Sequence, residues 1–206
     1  MKTNHALKNF EKMLNVVIFG APGSGKGTQS ELIISKYELY HISTGDILRR
    51  EIKNQTELGA IAEEYIKTGQ LVPDELIIKM LAEVIDTNPQ AKGYIFDGFP
   101  RTIAQGEALD QLLREKNTSI IAVLNLIVNE EELLNRLIKR GEESGRTDDN
   151  PAVIQNRLEV YRNQTEPLKE YYKKKGKLFN IKGNNSIEDV FEKIVEVLDR
   201  LSLQIK

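Results

Sequence analysis

The chain has 206 residues, 29 Lys and Arg against 31 Asp and Glu, and a formal net charge of −2. That length favours one domain with room for a small insertion, and the balance excludes a general nucleic-acid binder, which would need a net basic face for phosphate backbones. With no Cys, thiol catalysis, disulfides and Cys-based zinc sites are excluded too, and a cytosolic setting is expected.

Residues 1–12, MKTNHALKNFEK, lack an apolar stretch and read as an N-terminal extension of no assigned function, leaving 13–206 as the domain. No run approaches the roughly 18 apolar residues of a membrane span. LNVVIF, 14–19, is a short apolar run feeding straight into glycines, the pattern of a buried parallel strand. GAPGSGKGTQ follows at 20–29 and nearly fits the phosphate-loop pattern G-x-x-x-x-G-K-[ST], with Gly27 in place of the Ser or Thr that binds magnesium. Gly20, Gly23, Gly25 and Gly27 are expected to turn backbone N–H groups inward as an anion nest, and Lys26 adds a full charge. A tight strand-to-helix connection is the bland alternative, which the Lys, the Pro and the strand-then-helix context disfavour. From Thr28 the pattern turns helical, with Leu32, Ile33 and Tyr37 on one side.

Further on, His41–Ile42 is a weak strand candidate, and Ser43–Val72 reads as wholly helical, a small insertion into the sheet. GYIFD (93–97) and SIIAVLNLIV (119–128) are apolar enough for strands covered on both faces, and KLFNI (177–181) is weaker. Helices are predicted to start at Asn129 and Ser186, each followed three places on by an acid, and near Pro73 and Pro151. The last helix places Ile187, Val190, Phe191, Ile194, Val197, Leu198 and Leu201 on an inward face. GEESGRTDDN, 141–150, is charged and without apolar anchors, so it is expected to stay out of the core; it and the helical insertion both look mobile. Alternating strands and helices give the fold class: α/β, a five-stranded parallel sheet covered by helices on both faces, with ligands at the carboxyl ends of the strands.

Taken in order, GAPGSGKGTQ, HISTGDILR, LVPDE, GYIFDGFPRT and GRTDDN resemble the adenylate kinases of the nucleoside-monophosphate kinase family, over about Leu14 to Leu201. The resemblance implies a monomeric phosphotransferase that moves the terminal phosphoryl of ATP to AMP, giving two ADP, with no nucleic-acid or membrane partner. It makes 43–72 the monophosphate-binding insertion and 140–150 a short lid, lacking the longer form that can bind zinc. It also answers the question of Gly27: that family writes GKGT and holds magnesium through phosphates and waters, with Asp97 behind the waters. An ion that keeps several waters needs few protein ligands.

By the same resemblance, ATP falls to Gly23, Ser24, Gly25, Lys26, Gly27, Thr28, Arg136, Arg140 and Asn185. AMP falls to Thr44, Arg49, Gln70, Leu71, Val72, Gly98, Phe99, Arg101, Gln105, Arg146 and Arg157. Lys26, Arg101, Arg140, Arg146 and Arg157 are the catalytic set, since phosphoryl transfer asks mostly for alignment and for neutralising charge on equatorial oxygens.

Blander readings stand beside these. Arg136 and Arg140, four apart, also suit a solvated helix face supported by Glu132. Ser43 or Thr44 can cap a helix, Asp148 and Asp149 can cap the helix at Pro151 or pair with arginines, and Gln105 can be a surface residue. A Gln amide donates and accepts at once, which suits adenine, whereas relatives that phosphorylate UMP and CMP typically have Ala at the position of Thr44. The base of the donor, ATP or GTP, is not fixed by the sequence. No N-K-x-D base reader of guanine-nucleotide switches occurs, and Asp97 is followed by Gly98 rather than the Glu usual in motor ATPases.

Overall fold

A computed structural model describes residues 13–144 and 146–205, so the expectation for 1–12 lies outside the described residues. Among these, five strands form one parallel sheet: β1 (Asn15–Phe19), β2 (Tyr40–Ser43), β3 (Tyr94–Asp97), β4 (Ile120–Ile127) and β5 (Leu178–Lys182), in the order β2-β3-β1-β4-β5. The predicted α/β architecture holds, and all five predicted strands are present within a residue or two. β1 is central, which is why Val16 to Phe19 read as an unbroken apolar run: strands covered on both faces have no reason to alternate. Its period of two nevertheless divides the core. Val16 and Ile18 pack with Ile33, Ile95, Leu124 and Ile194 on one face, and Val17 and Phe19 with Phe96, Leu109, Leu113 and Tyr172 on the other.

Nine helices surround the sheet among the described residues: α1 (Lys26–Tyr37), α2 (Thr44–Lys53), α3 (Glu57–Thr68), α4 (Asp74–Asp86), α5 (Ile103–Glu115), α6 (Glu130–Ser144), α7 (Pro151–Val160), α8 (Leu168–Lys174) and α9 (Ile187–Ile205). Their starts follow from short polar side chains that satisfy otherwise unpaired N–H groups. Ser43 Oγ accepts from Asp46 N–H, Thr102 Oγ1 from Gln105 N–H at 3.1 Å, Asn129 Oδ1 from Glu132 N–H at 2.8 Å, and Ser186 Oγ from Asp189 N–H at 3.1 Å. Pro151 opens α7, whereas Pro73 sits at the cap position just before α4. α9 buries Val190, Ile194 and Leu198, four residues apart each time, and truncating the fully buried Ile194 to Ala should cost about 2–5 kcal/mol.

Three details differ from the sequence reading. α1 begins at Lys26 rather than Thr28, because Gly25, with φ 91°, supplies the turn that lets the helix start directly on the loop. Residues 43–72 resolve into the end of β2 followed by α2 and α3, joined by a loop in which Thr56 caps α3. The 141–150 stretch is not all irregular: α6 continues to Ser144, and Thr147–Asp149 make one 3₁₀ turn. Asp148 and Asp149 are buried there, which apolar anchoring could not achieve but charge pairing does.

The connection from β3 to β4 carries the chain from one side of β1 to the other, so the order in which strands are added reverses at β1 and opens a crevice at the carboxyl end of the sheet. α3 and α7 meet across that crevice. Asn156 Nδ2 donates to Thr68 O, and Gly69 packs against Val153 and Arg157.

Candidate active site

The crevice is a cleft of about 550 Å³, within the range of small-ligand sites. One wall is the loop after β1. Gly20, Gly23 and Gly25 have φ of 144°, 83° and 91°, a region closed to most side chains, and a Cβ on Gly23 would lie 2.9 Å from Leu137 Cγ. Gly27 is different. It lies in the first turn of α1 without a positive φ, and a Cβ there would meet nothing within 4 Å. The expectation that Gly27 supplies conformational freedom is therefore corrected: its backbone asks for no glycine, and what its bareness leaves is open space beside the loop.

Lys26 Nζ donates to the carbonyls of Gly20 and Ala21 at 2.9 and 3.0 Å, folding back over its own loop. Burial pushes its pKa down to about 8; Asp97 partly offsets this, and Arg101, Arg157 and Arg140 add to it. Such a lysine gains most from a polyanion, which restores the charge that burial disfavours.

Asp97 ends β3 and lines the cleft, with its Oδ2 3.9 Å from His41 Nε2, an otherwise unpartnered buried nitrogen. No group of three or more His, Cys, Asp or Glu side chains is arranged to hold a metal among the described residues. A single carboxylate beside a phosphate cradle fits magnesium, which retains waters and takes most of its ligands from phosphate oxygens.

Among the described residues, six arginines line the cleft: Arg49 from α2, Arg101 after β3, Arg136 and Arg140 from α6, Arg146 after α6, and Arg157 from α7. Arg136 and Arg140 share a face, as their spacing predicts. Arg136 Nε donates to Glu132 at 2.7 Å and Nη2 to Gly183 O at 3.2 Å, so the Glu132 pair and a place in the cleft are compatible. Burial lowers the pKa of Arg101 to about 10, with the nearby Arg157 charge adding to the shift and Asp97 opposing it. Its Nε donates to Gly98 O at 2.7 Å.

Arg140, Arg146 and Arg157 are held by two carboxylates. Arg140 donates to Asp149 through Nε at 2.6 Å and Nη2 at 2.8 Å; Arg146 donates to Asp148 at 3.0 and 2.7 Å; Arg157 Nη1 reaches Asp149 Oδ1 at 2.5 Å. Burial alone would raise the Asp148 pKa, but the Arg146 hydrogen bond and the charges of Arg157 and Arg146 hold it well below the usual carboxylate range. Asp149 is lowered in the same sense, chiefly by Arg140 against burial. Of the two alternatives for these acids, pairing with arginines is what the structure contains.

The remaining predicted residues gather on the opposite wall. Thr44, Gln70, Leu71, Val72, Gly98, Phe99 and Gln105 all line the cleft, as do Gly23, Gly25, Gly27 and Thr28 of the loop. Ser43 caps α2, while Thr44 Oγ1 donates to Gly98 O at 2.9 Å. Gln105 is 2% exposed, so it is not a surface residue. Ser24 and Asn185 do not line the cleft. Ser24 Oγ is buried without a hydrogen-bond partner and its N–H is donated to Ala21 O; Asn185 is exposed on the turn after β5. Three residues escaped the sequence reading of the site. His41 lies beside Asp97, Asp46 pairs with Arg49, and Asp74 binds Gln105. Only the Asp46–Arg49 spacing of three carried a local signal.

An anion cradle opposed by guanidinium groups from several separate segments is suited to moving a phosphoryl group between two polyanions, and the class so defined is that of P-loop phosphotransferases. Residues 18–177 match the profile of the family described as Adenylate kinase. The chain is 65% identical over 189 residues to an adenylate kinase of Azobacteroides pseudotrichonymphae, covering 92% of this chain and 99% of that protein. It is 60% identical to adenylate kinases of Parabacteroides distasonis and Bacteroides fragilis, each alignment covering 92% of this chain and all of the relative. The chain belongs to the adenylate kinase family, and it is a phosphotransferase.

Proposed function

We propose that this chain catalyses the reversible transfer of the terminal phosphoryl group of magnesium-bound ATP to AMP, giving two ADP and so equilibrating the adenine nucleotides. The observation that carries the reading is the convergence in one cleft of Lys26 with arginines from α2, α6, α7 and the turns after β3 and α6. In this reading the enzyme is a cytoplasmic monomer acting on free nucleotides. No described helix is long and apolar enough to cross a membrane.

An AMP phosphate oxygen attacks the γ phosphorus; its bond forms as the bond from γ phosphorus to the β–γ bridging oxygen breaks, and ADP leaves. The attacking oxygen is already ionised at neutral pH, since the second phosphate pKa is near 6, so no general base is required. The protein's task is to align two polyanions and offset their repulsion. The loop from Gly20 to Thr28 and Lys26 hold the donor phosphates, and Arg136 lies against the donor base. Arg140, Arg146 and Arg157 close on the transferring group, giving up Asp148 and Asp149 as phosphate oxygens take their place. Arg49 and Arg101 hold the AMP phosphate, with Thr44, residues 70–72, Gly98, Phe99 and Gln105 around the rest of AMP. Magnesium, when bound, would offset phosphate charge, and Asp97 is the residue that would hold it, through water.

Initial rates with ATP as donor and AMP, CMP, UMP or GMP as acceptor test this reading. AMP should exceed each of the others by at least a hundredfold in kcat/KM; a preference for a pyrimidine monophosphate would overturn it.

A further inference from the structure

Gln105 sits in a fixed frame rather than in a loose pocket. Its Oε1 accepts the backbone N–H of Arg101 at 2.7 Å, and its Nε2 donates to Asp74 Oδ1 at 2.7 Å. The other carboxylate oxygen of Asp74 accepts from Thr102 Oγ1 at 2.8 Å, and that same hydroxyl accepts the Gln105 backbone N–H at 3.1 Å. Asp74 opens α4, directly after the cleft-lining 70–72 segment, while Thr102 and Gln105 open α5; the first turns of the two helices are thus tied together beside the site.

The chemistry of the partners fixes which end of the amide is which. A backbone N–H can only donate, so the atom facing Arg101 must be oxygen; an ionised carboxylate can only accept, so the atom facing Asp74 must be nitrogen. Turning the amide over would set donor against donor at Arg101 and acceptor against acceptor at Asp74, and both clashes would be buried. So held, Gln105 retains one N–H and one lone pair, and it lines the cleft.

A donor and an acceptor side by side in that order read the edge of adenine, whose N1 accepts and whose N6 amino group donates. Hypoxanthine and guanine carry the reverse, an N1–H and an O6. A Gln free to rotate would serve either pattern; a locked one discriminates. We propose that Asp74, which itself does not line the cleft, is a specificity-determining positioning residue: together with the Arg101 N–H it fixes the orientation of the Gln105 amide and thereby the preference for a 6-amino over a 6-oxo purine monophosphate. This rests on the reading of the cleft as an AMP site.

The test compares AMP and IMP as acceptors in wild type, Asp74→Ala and Asp74→Asn, with kcat and KM resolved separately. Asn keeps a carbonyl oxygen for Gln105 Nε2, and its amide can face the Thr102 hydroxyl, so it preserves the lock without the charge. The AMP to IMP ratio of kcat/KM should fall at least tenfold in Asp74→Ala, through KM for AMP with kcat within about threefold of wild type. In Asp74→Asn it should stay within about threefold of wild type. The ratio is internal to each sample, so partial unfolding does not move it. If Asp74→Ala does not fold, Thr102→Val serves the same comparison, with an expected fall of about threefold. An unchanged ratio in the Ala variant, or in the Val variant standing in for it, overturns the proposal, as does an equal loss in Asn. Wild type that forms no ADP from AMP would instead overturn the reading of the site itself.

Discussion

Arg140 and Asp149 meet through two parallel hydrogen bonds, Nε to Oδ2 at 2.6 Å and Nη2 to Oδ1 at 2.8 Å, and the Asp149 side chain is fully buried. This fork-on-carboxylate geometry is the one a guanidinium offers to phosphate. Asp148 and Asp149 therefore hold Arg140, Arg146 and Arg157 aligned. Asp149→Asn leaves Arg140 and Arg157 short of a counter-charge and should cost about 2 kcal/mol, a fall in Tm of about 5 °C. Thermal melts with and without ATP and AMP would show the deficit narrowing when nucleotides supply the missing negative charge.

The depressed pKa of Asp148 makes part of the stability pH-dependent. A carboxylate whose folded pKa lies below its unfolded value near 3.9 stabilises fully above that value and loses the contribution as pH falls toward the folded one. Urea midpoints of wild type and Asp148→Asn should differ most at pH 6–7 and converge as pH drops below about 4. A constant difference across that range would mean that Asp148 acts through packing instead.

Lys26, with its pKa near 8 in the free protein, should titrate during assay. ATP favours the charged form, so kcat/KM for ATP should decline above pH 8, by about tenfold one unit higher, and ATP binding at pH 8.5–9 should take up protons. Calorimetry in buffers of different ionisation enthalpy measures that uptake directly. Binding with no proton change at pH 9 would show Lys26 to be charged throughout.

Arg101 donates through Nε to Gly98 O from within the cleft, and a lysine can reproduce neither that bond nor a two-point grip on phosphate. Arg101→Lys should lower turnover between tenfold and about 10³-fold while Tm stays within about 2 °C. Stopped turnover accompanied by a collapse in Tm would assign Arg101 to the fold instead.

Gly27 offers a prediction of opposite sign. Since its backbone is helical and the space beside it open, Gly27→Ala should raise stability by up to about 1 kcal/mol, or about 2 °C in Tm. A lower Tm would show that the residue is held in strain. Activity measured beside it reports how closely phosphate approaches the bare backbone.

The parts of the molecule legible in the sequence are those written locally. β1 and its glycine loop are contiguous, and the caps at Asn129 and Ser186 act over three residues, so both survive folding unchanged. The helical insertion was legible as helix, although the break at Asn54–Thr56 was not. What could not be read is pairing between distant segments. The Gln105–Asp74 bond spans 31 residues, and the approach of His41 to Asp97 joins two neighbouring strands whose pairing sets no local period. Burial of Asp148 and Asp149 runs against their charged, glycine-flanked setting for a different reason: the compensation comes from Arg140, Arg146 and Arg157, which lie within nine residues but which only the fold of this segment turns onto the two carboxylates. The arginines themselves were identifiable as site residues only through resemblance, since Arg136 and Arg140 taken alone also suit a solvated helix face.

Phosphorus NMR of the folded protein with ATP, AMP and magnesium tests most directly whether the cleft brings two nucleotides end to end. ATP and AMP should disappear in equal amounts, with two ADP formed for each pair and no inorganic phosphate released. ATP loss accompanied by free phosphate, or spectra that never change while the protein remains folded, would contradict phosphoryl transfer between nucleotides at this site.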